Sequence, residues 1–176
     1  MKRTDRDART ANLLGALALR IGDELTDATE SGAELGASAP AAIATVANYP
    51  GVAIGELSRI LRQSHSGTVR LVDRLVASGL VERHRGGSDD KRSVALRPTQ
   101  AGLQRARRIL EERRRSLAAM LGPLGSGERE QLAALLEKML GNLGHGEAEG
   151  YVICRLCELP VCPLDRCPVN RGASHP

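Results

Sequence analysis

Four thiols lie within fourteen residues near the C-terminal end of the chain: Cys154, Cys157, Cys162 and Cys167, in the spacing C-x2-C-x4-C-x4-C. The rest of the 176-residue sequence has no cysteine. Thiolates are soft ligands, and four in one short segment can close around a single ion or an iron–sulfur cluster without donors from elsewhere in the fold. Disulfides or idle thiols are the plainer readings. Permanent disulfides do not suit a reducing compartment, and idle thiols do not account for such dense clustering. Metal or cluster binding is the expected chemistry of this segment.

Two cofactors stay open. The spacing is similar to that of the CCHC zinc knuckle, with Cys162 in the histidine position. Glu158 and Val161, however, stand where knuckles have glycine for their tight turns. Leu156, Leu159, Pro160, Pro163 and Pro168 surround the thiols with apolar and proline side chains. A dry, all-thiolate setting with Cys-Pro at the last ligand resembles iron–sulfur sites. An iron–sulfur cluster is slightly favoured, with structural zinc close behind.

Such a segment serves whatever precedes it. Hydrophobic residues make up 41% of the chain, yet there is no Trp and no Phe, and only Tyr49 and Tyr151 are aromatic. A core of Leu, Ile, Val and Ala favours helices over aromatic-rich sheets. The net charge is +4, concentrated in residues 51–100, which carry nine basic and five acidic side chains. An anionic partner is expected there. The N-terminal stretch MKRTDRDARTANLLGALALR could pass for a signal peptide, but Asp5 and Asp7 interrupt its basic region and Arg20 ends the apolar run. No segment approaches membrane-spanning length, so a cytoplasmic protein without membrane contact is expected.

Apolar periodicity predicts a helix over about 10–30 (Leu14, Leu17, Ile21, Leu25, Ala28) and, after a Gly-rich break, a second opened by Ser38 and Pro40 and closed by Pro50-Gly51. A third covers 53–61. A fourth is capped by Ser64 and ended by Gly79. LVERHR and SVALR form a hairpin around the polar tip GGSDDKR. A long fifth helix follows from about Thr99 to Leu121. Ser126 caps a sixth, whose stripe is Leu132, Leu135, Leu136, Met139, Leu140 and Leu143. The expected organisation is a winged-helix domain over 1–143, a linker over 144–150 and a four-cysteine tail over 151–176. Within the domain, the DNA-binding lobe is about 38–97, and the dimerisation helices are about 10–30 and 99–143.

Helix, short turn, helix and hairpin between 53 and 97 make a DNA-reading constellation. On the fourth helix Val69, Val72, Leu75 and Val76 form the packing face. Ser64, His65, Ser66, Gly67 and Thr68 gather at its N-terminal end, with Arg70 and Arg74 further along. Small polar groups allow close approach to a major groove, and arginines reach bases or phosphates. Arg83 and Arg85 on the first strand, and Asp90, Lys91 and Arg92 at the hairpin tip, suit a phosphate or minor-groove contact. Taken singly, each arginine is ordinary solvated surface; the joint pattern favours DNA binding.

The stretch IGELSRILRQSHSGTVRLVDRLVASGLVERHRGGSDDKRSVALRPTQAG closely resembles the winged helix-turn-helix of MarR-type transcriptional regulators. Asp90, Arg92, Thr99 and Gly102 match the family's wing pattern, and with flanking helices the likeness covers about residues 10–143. Pro98 departs from it, and is expected to trim the second wing strand. The resemblance implies a mainly α fold with a small β-hairpin wing (α+β), that is, a winged helix-turn-helix with N- and C-terminal dimerisation helices. It implies an obligate homodimer in which the first, fifth and sixth helices intertwine and two lobes read a pseudo-palindromic double-stranded DNA operator. It also implies repression relieved by a small-molecule effector or by oxidation, with Arg92 entering the minor groove and Asp90 orienting it. The one-faced first and sixth helices point to a dimer independently.

The expected function is a dimeric, sequence-specific DNA-binding regulator whose cysteine tail senses redox state, iron or a reactive gas. Alternatives are a regulator with a purely structural zinc tail that responds to a small molecule, and a metal- or redox-handling protein with a vestigial helix-turn-helix. The residues favour no enzyme: no nucleophile–base grouping, paired carboxylates or phosphate-cradling glycine loop stands out.

Overall fold

A computed structural model describes residues 3–29, 35–85, 94–143 and 147–169. Its elements are α1 (Arg3–Thr29), α2 (Ala39–Asn48), α3 (Ile54–Ile60), α4 (His65–Ala77), strands β1 (Val81–Arg85) and β2 (Val94–Pro98), α5 (Gln100–Met120), α6 (Ser126–Leu143) and α7 (Glu147–Ile153). A 3-10 turn follows at Leu164–Arg166. The fold is mainly helical with one two-stranded antiparallel hairpin, as the sequence predicts.

The core forms where α2, α3, α4, α5 and the hairpin converge. Leu57, Leu71, Leu75, Leu96 and Ile109 are its largest fully buried side chains. Aliphatic packing alone fills it, consistent with a sequence lacking Phe and Trp. α2 is buried from Ala39 to Val46, apolar nearly all round because α5 and the wing cover it. β1 pairs with β2 from Val81 opposite Pro98 to Arg85 opposite Val94. The turn after α2 is stitched to the wing: the Gly51 amide donates to the Leu96 carbonyl at 2.7 Å, and the Leu96 amide to Val52 at 3.0 Å.

Four boundaries differ from expectation. α1 begins at Arg3, because the polar run before Leu13 contains no Gly or Pro and the helix continues where no apolar stripe marks it. Ser126 is the first residue of α6; the Glu128 carboxylate takes the capping role, accepting from the Gly125 amide at 2.8 Å. Pro98 does not shorten β2. It sits in the terminal pair of a two-stranded sheet, where a missing N–H costs little. Residues 147–150, expected within a linker, begin α7, which packs on α3.

The wing's join to α5 explains two residues of the sequence pattern. Thr99 caps α5: its hydroxyl accepts from the Gly102 amide at 2.9 Å and donates to the Gly79 carbonyl at 2.6 Å. At Gly102 a Cβ would stand 2.0 Å from the Leu80 carbonyl oxygen, so only glycine lets the start of α5 lie this close to the chain entering β1.

Candidate nucleic-acid interface and thiol centre

The sequence of α4 dictates both its start and its orientation. Ser64 has extended backbone, and its hydroxyl accepts from the Gly67 amide at 3.1 Å, satisfying one of the free donors of the first turn. Gly79, at φ +67°, ends the helix with the left-handed turn glycine favours. Thr68, Leu71, Val72 and Leu75 are the buried face. The expected contact Thr68 is a correction. Its side chain is fully buried and its hydroxyl donates to the Ser64 carbonyl at 3.1 Å, so it braces the helix and reaches no ligand. The threonine methyl serves the core, and a hydroxyl bonded one turn back needs no solvent.

The other expected contacts on α4 lie away from the core. Ser64, His65, Ser66, Arg70 and Arg74 are exposed, and Gly67 is half-buried beneath the cap. Arg74 is steered by its Nε donating to the Leu35 carbonyl at 3.3 Å. Arg83 turns back from β1 to pair with Asp73 of α4 at 2.7 Å, tying the wing's base to the reading helix. The Arg85 backbone lies in β1; its side chain, and Asp90, Lys91 and Arg92 at the wing tip, fall outside the described residues.

Sequence reasoning missed three participants in this surface: Asp73, the Leu35 carbonyl, and the Gln63 amide, which donates to the Ser38 hydroxyl at 2.6 Å. Leu35, Ser38 and Gln63, together with Arg70 and Arg74, border a cleft of about 410 Å³ between residues 35–38 and the start of α4. Two guanidiniums at its edge suit an anion. Nothing local in the sequence links residues 35–38 to α4, because the pairing is tertiary.

The thiol segment is folded onto this lobe. Its internal backbone hydrogen bonds are short-range, from Cys154 to Gly150, Cys157 to Cys154, and Val161 and Cys162 to Glu158. The longer ties run outward. The Asn48 amide donates to the Cys157 carbonyl at 3.1 Å, and Arg62 pairs with Glu149 at 2.6 Å. Leu156 packs against the core. The chain's two aromatic rings, Tyr49 and Tyr151, meet edge to face at 5.2 Å and 85°.

All four thiols are free. Cys154 Sγ and Cys167 Sγ stand 3.8 Å apart, and Cys167 is buried. A hydrogen bond from Cys154, and then the Arg113 cation, bring the Cys157 thiol down to about 7. That same bond, followed by burial, pushes Cys154 up. Burial raises Cys162. Burial, helped by Tyr151, lifts Tyr49 to about 12. Arg113 also has a buried Nε without a hydrogen-bond partner. Among the described residues no group of three or more Cys, His, Asp or Glu is already arranged to hold a metal ion. The donor set fits one nonetheless: two thiolates on one tetrahedral ion, with metal–sulfur bonds of about 2.3 Å, stand about 3.8 Å apart.

The MarR family model matches residues 35–93. The transcriptional repressor MprA of Escherichia coli K12 is 31% identical over 98 residues, 56% of this chain and 55% of MprA. The chain thus spans about half the length of the curated relatives it matches. A MarR-family transcriptional regulator from Silicibacter pomeroyi is 28% identical, with a TM-score of 0.59 over 78% of this chain and 92% of that one. YusO from Bacillus subtilis shares the fold at a TM-score of 0.66 and 20% identity, over 79% of this chain and 97% of its own. None of the described helices is long and apolar enough to cross a membrane. Residues 35–93 are thus similar in sequence to the MarR family, and the described fold is similar to those of MarR-type structures.

Proposed function

We propose that this chain is a homodimeric, sequence-specific DNA-binding transcriptional regulator, acting as a repressor, with a thiolate-ligated ion or cluster in its C-terminal tail. The observation that carries the reading is α4 itself. It is capped and fixed by the core on one side and presents Ser64, His65, Ser66, Arg70 and Arg74 on the other. Such a surface suits direct contact with base edges and phosphates. Pairing is supported by apolar surface on two helices. Leu13, Leu14, Leu17 and Leu19 of α1 are exposed, as are Leu135, Leu136, Met139 and Leu143 of α6, and α6 has no buried residue at all. A second copy of the chain is the partner such stripes call for.

The test is a salt titration of binding to a duplex from the protein's own upstream region. Arg92→Ala should weaken binding and lower the slope of log affinity against log salt by about one. An unchanged affinity and slope would overturn the wing assignment.

A second reading rests on the cleft beside Arg70 and Arg74. In it, a small anionic effector enters the cleft and competes with DNA, while the tail is only a zinc staple. For the metal itself, the 3.8 Å sulfur separation suits two thiolates on one tetrahedral metal, as in a zinc site or a two-iron cluster, better than a four-iron cluster, in which each thiolate binds a different iron.

A further inference from the structure

The thiol loop touches the reading lobe and the long helices at once. Asn48 and Tyr49, at the end of α2, hold the Cys157 carbonyl and the Tyr151 ring. A Cβ at Gly141 of α6 would stand 3.6 Å from the Pro168 carbonyl. The loop therefore sits at the joint between the DNA-reading lobe and the helices expected to pair the molecule.

A continuous chain of contacts leads from this joint to the wing. Tyr49 caps α2 and its carbonyl accepts from the Val52 amide at 3.1 Å. Gly51 and Val52 in turn exchange hydrogen bonds with Leu96 of β2. The described thiol loop has only short-range backbone bonds of its own, so a link between Cys154 and Cys167 adds to the α3 and Arg62 contacts that seat Tyr151 on Tyr49 and Cys157 on Asn48.

We propose that Cys154, Cys157, Cys162 and Cys167 hold a single zinc-class divalent cation, and that its presence sets the wing through Tyr151–Tyr49, Asn48 and the 48–52 turn within one subunit. Binding replaces four S–H bonds by four metal–sulfur bonds and releases the protons to solvent, with no change of oxidation state. The four thiolates leave the centre with a net charge of −2. Arg113 of α5, whose buried Nε lacks a hydrogen-bond partner, supplies a cation to offset it. Loss of the cation frees the two ends of the loop, and the Asn48 and Tyr49 contacts lose one of their anchors. This inference rests on the reading of the lobe as DNA-binding and of the tail as an ion site.

The test uses the full-length protein, as purified, stripped with a chelator and reloaded with zinc. It has three readouts: metal content, affinity for a duplex from the protein's own upstream region, and amide hydrogen exchange at Leu96. We expect about one zinc per chain, about a tenfold change in DNA affinity on stripping, and faster exchange at Leu96. Tyr151→Leu and Asn48→Ala should keep the zinc, while stripping then changes affinity by less than about twofold. Iron with sulfide, or no metal, would overturn the ion assignment. Bound zinc with neither affinity nor exchange responding to its removal would overturn the coupling, as would variants that respond like the parent protein. If loaded and stripped protein both ignore the duplex, the DNA-reading function fails, and Leu96 exchange still decides the coupling.

Discussion

Cys157 and Arg113 show how a single site is built from distant residues. The thiol sits at about 7 because Cys154 donates to it and the Arg113 guanidinium lies near. A lowered value means the thiolate prevails once the pH exceeds about 7, while Cys154 and Cys162 stay protonated well above that. In metal-free protein, iodoacetamide should therefore label Cys157 first, with a rate that climbs through pH 7. Arg113→Ala should move that midpoint upward and weaken zinc retention; mass spectrometry of the labelled peptides reads the first effect, competition with a chromophoric chelator the second. Labelling that follows one common curve for all four thiols would contradict this. The cysteine pattern was plain in the sequence. Arg113 was not, because it lies 44 positions before Cys157 and only the tertiary fold lets its charge act on that thiol.

The start of α5 is where one element fixes another. Gly102→Ala forces a Cβ onto the Leu80 carbonyl, which is backbone and cannot rotate away. Overpacking of this kind costs about 1–3 kcal/mol, and thermal unfolding of the variant should show it as a lowered Tm. Relief of the clash also tilts the wing's base against α5, so DNA affinity should fall with stability. A variant as stable as the parent would show that the contact is looser than described. Elements with strong periodic or capping signals were legible in advance, including α4 with Ser64 and Gly79. Boundaries set by tertiary contact were not. The start of α7 reads as linker because Gly150 and the charged residues before it carry no pattern of their own, and the helix is ordered by Tyr49, Arg62 and α3. Thr68 was misplaced for the complementary reason: a polar residue type at the right end of a reading helix says nothing of which way it faces.

At the scale of the molecule, the core of the lobe closes around Leu57, Leu71 and Leu96 together with Ala106 and Ile109 of α5. The long helices are different. α1 and α6 leave rows of leucine in water, and a pair of chains covering them would present two copies of α4 to one duplex. The fold class and the bounds of α4 followed from sequence alone, while the docking of the tail onto the lobe emerged only in three dimensions. Sedimentation velocity of the full-length protein, alone and with a duplex from its own upstream region, bears on both halves of the proposed function. We expect dimers in the free protein and a dimer-sized increment on the duplex at low salt. Chains that sediment singly and leave the duplex at its own rate would contradict it.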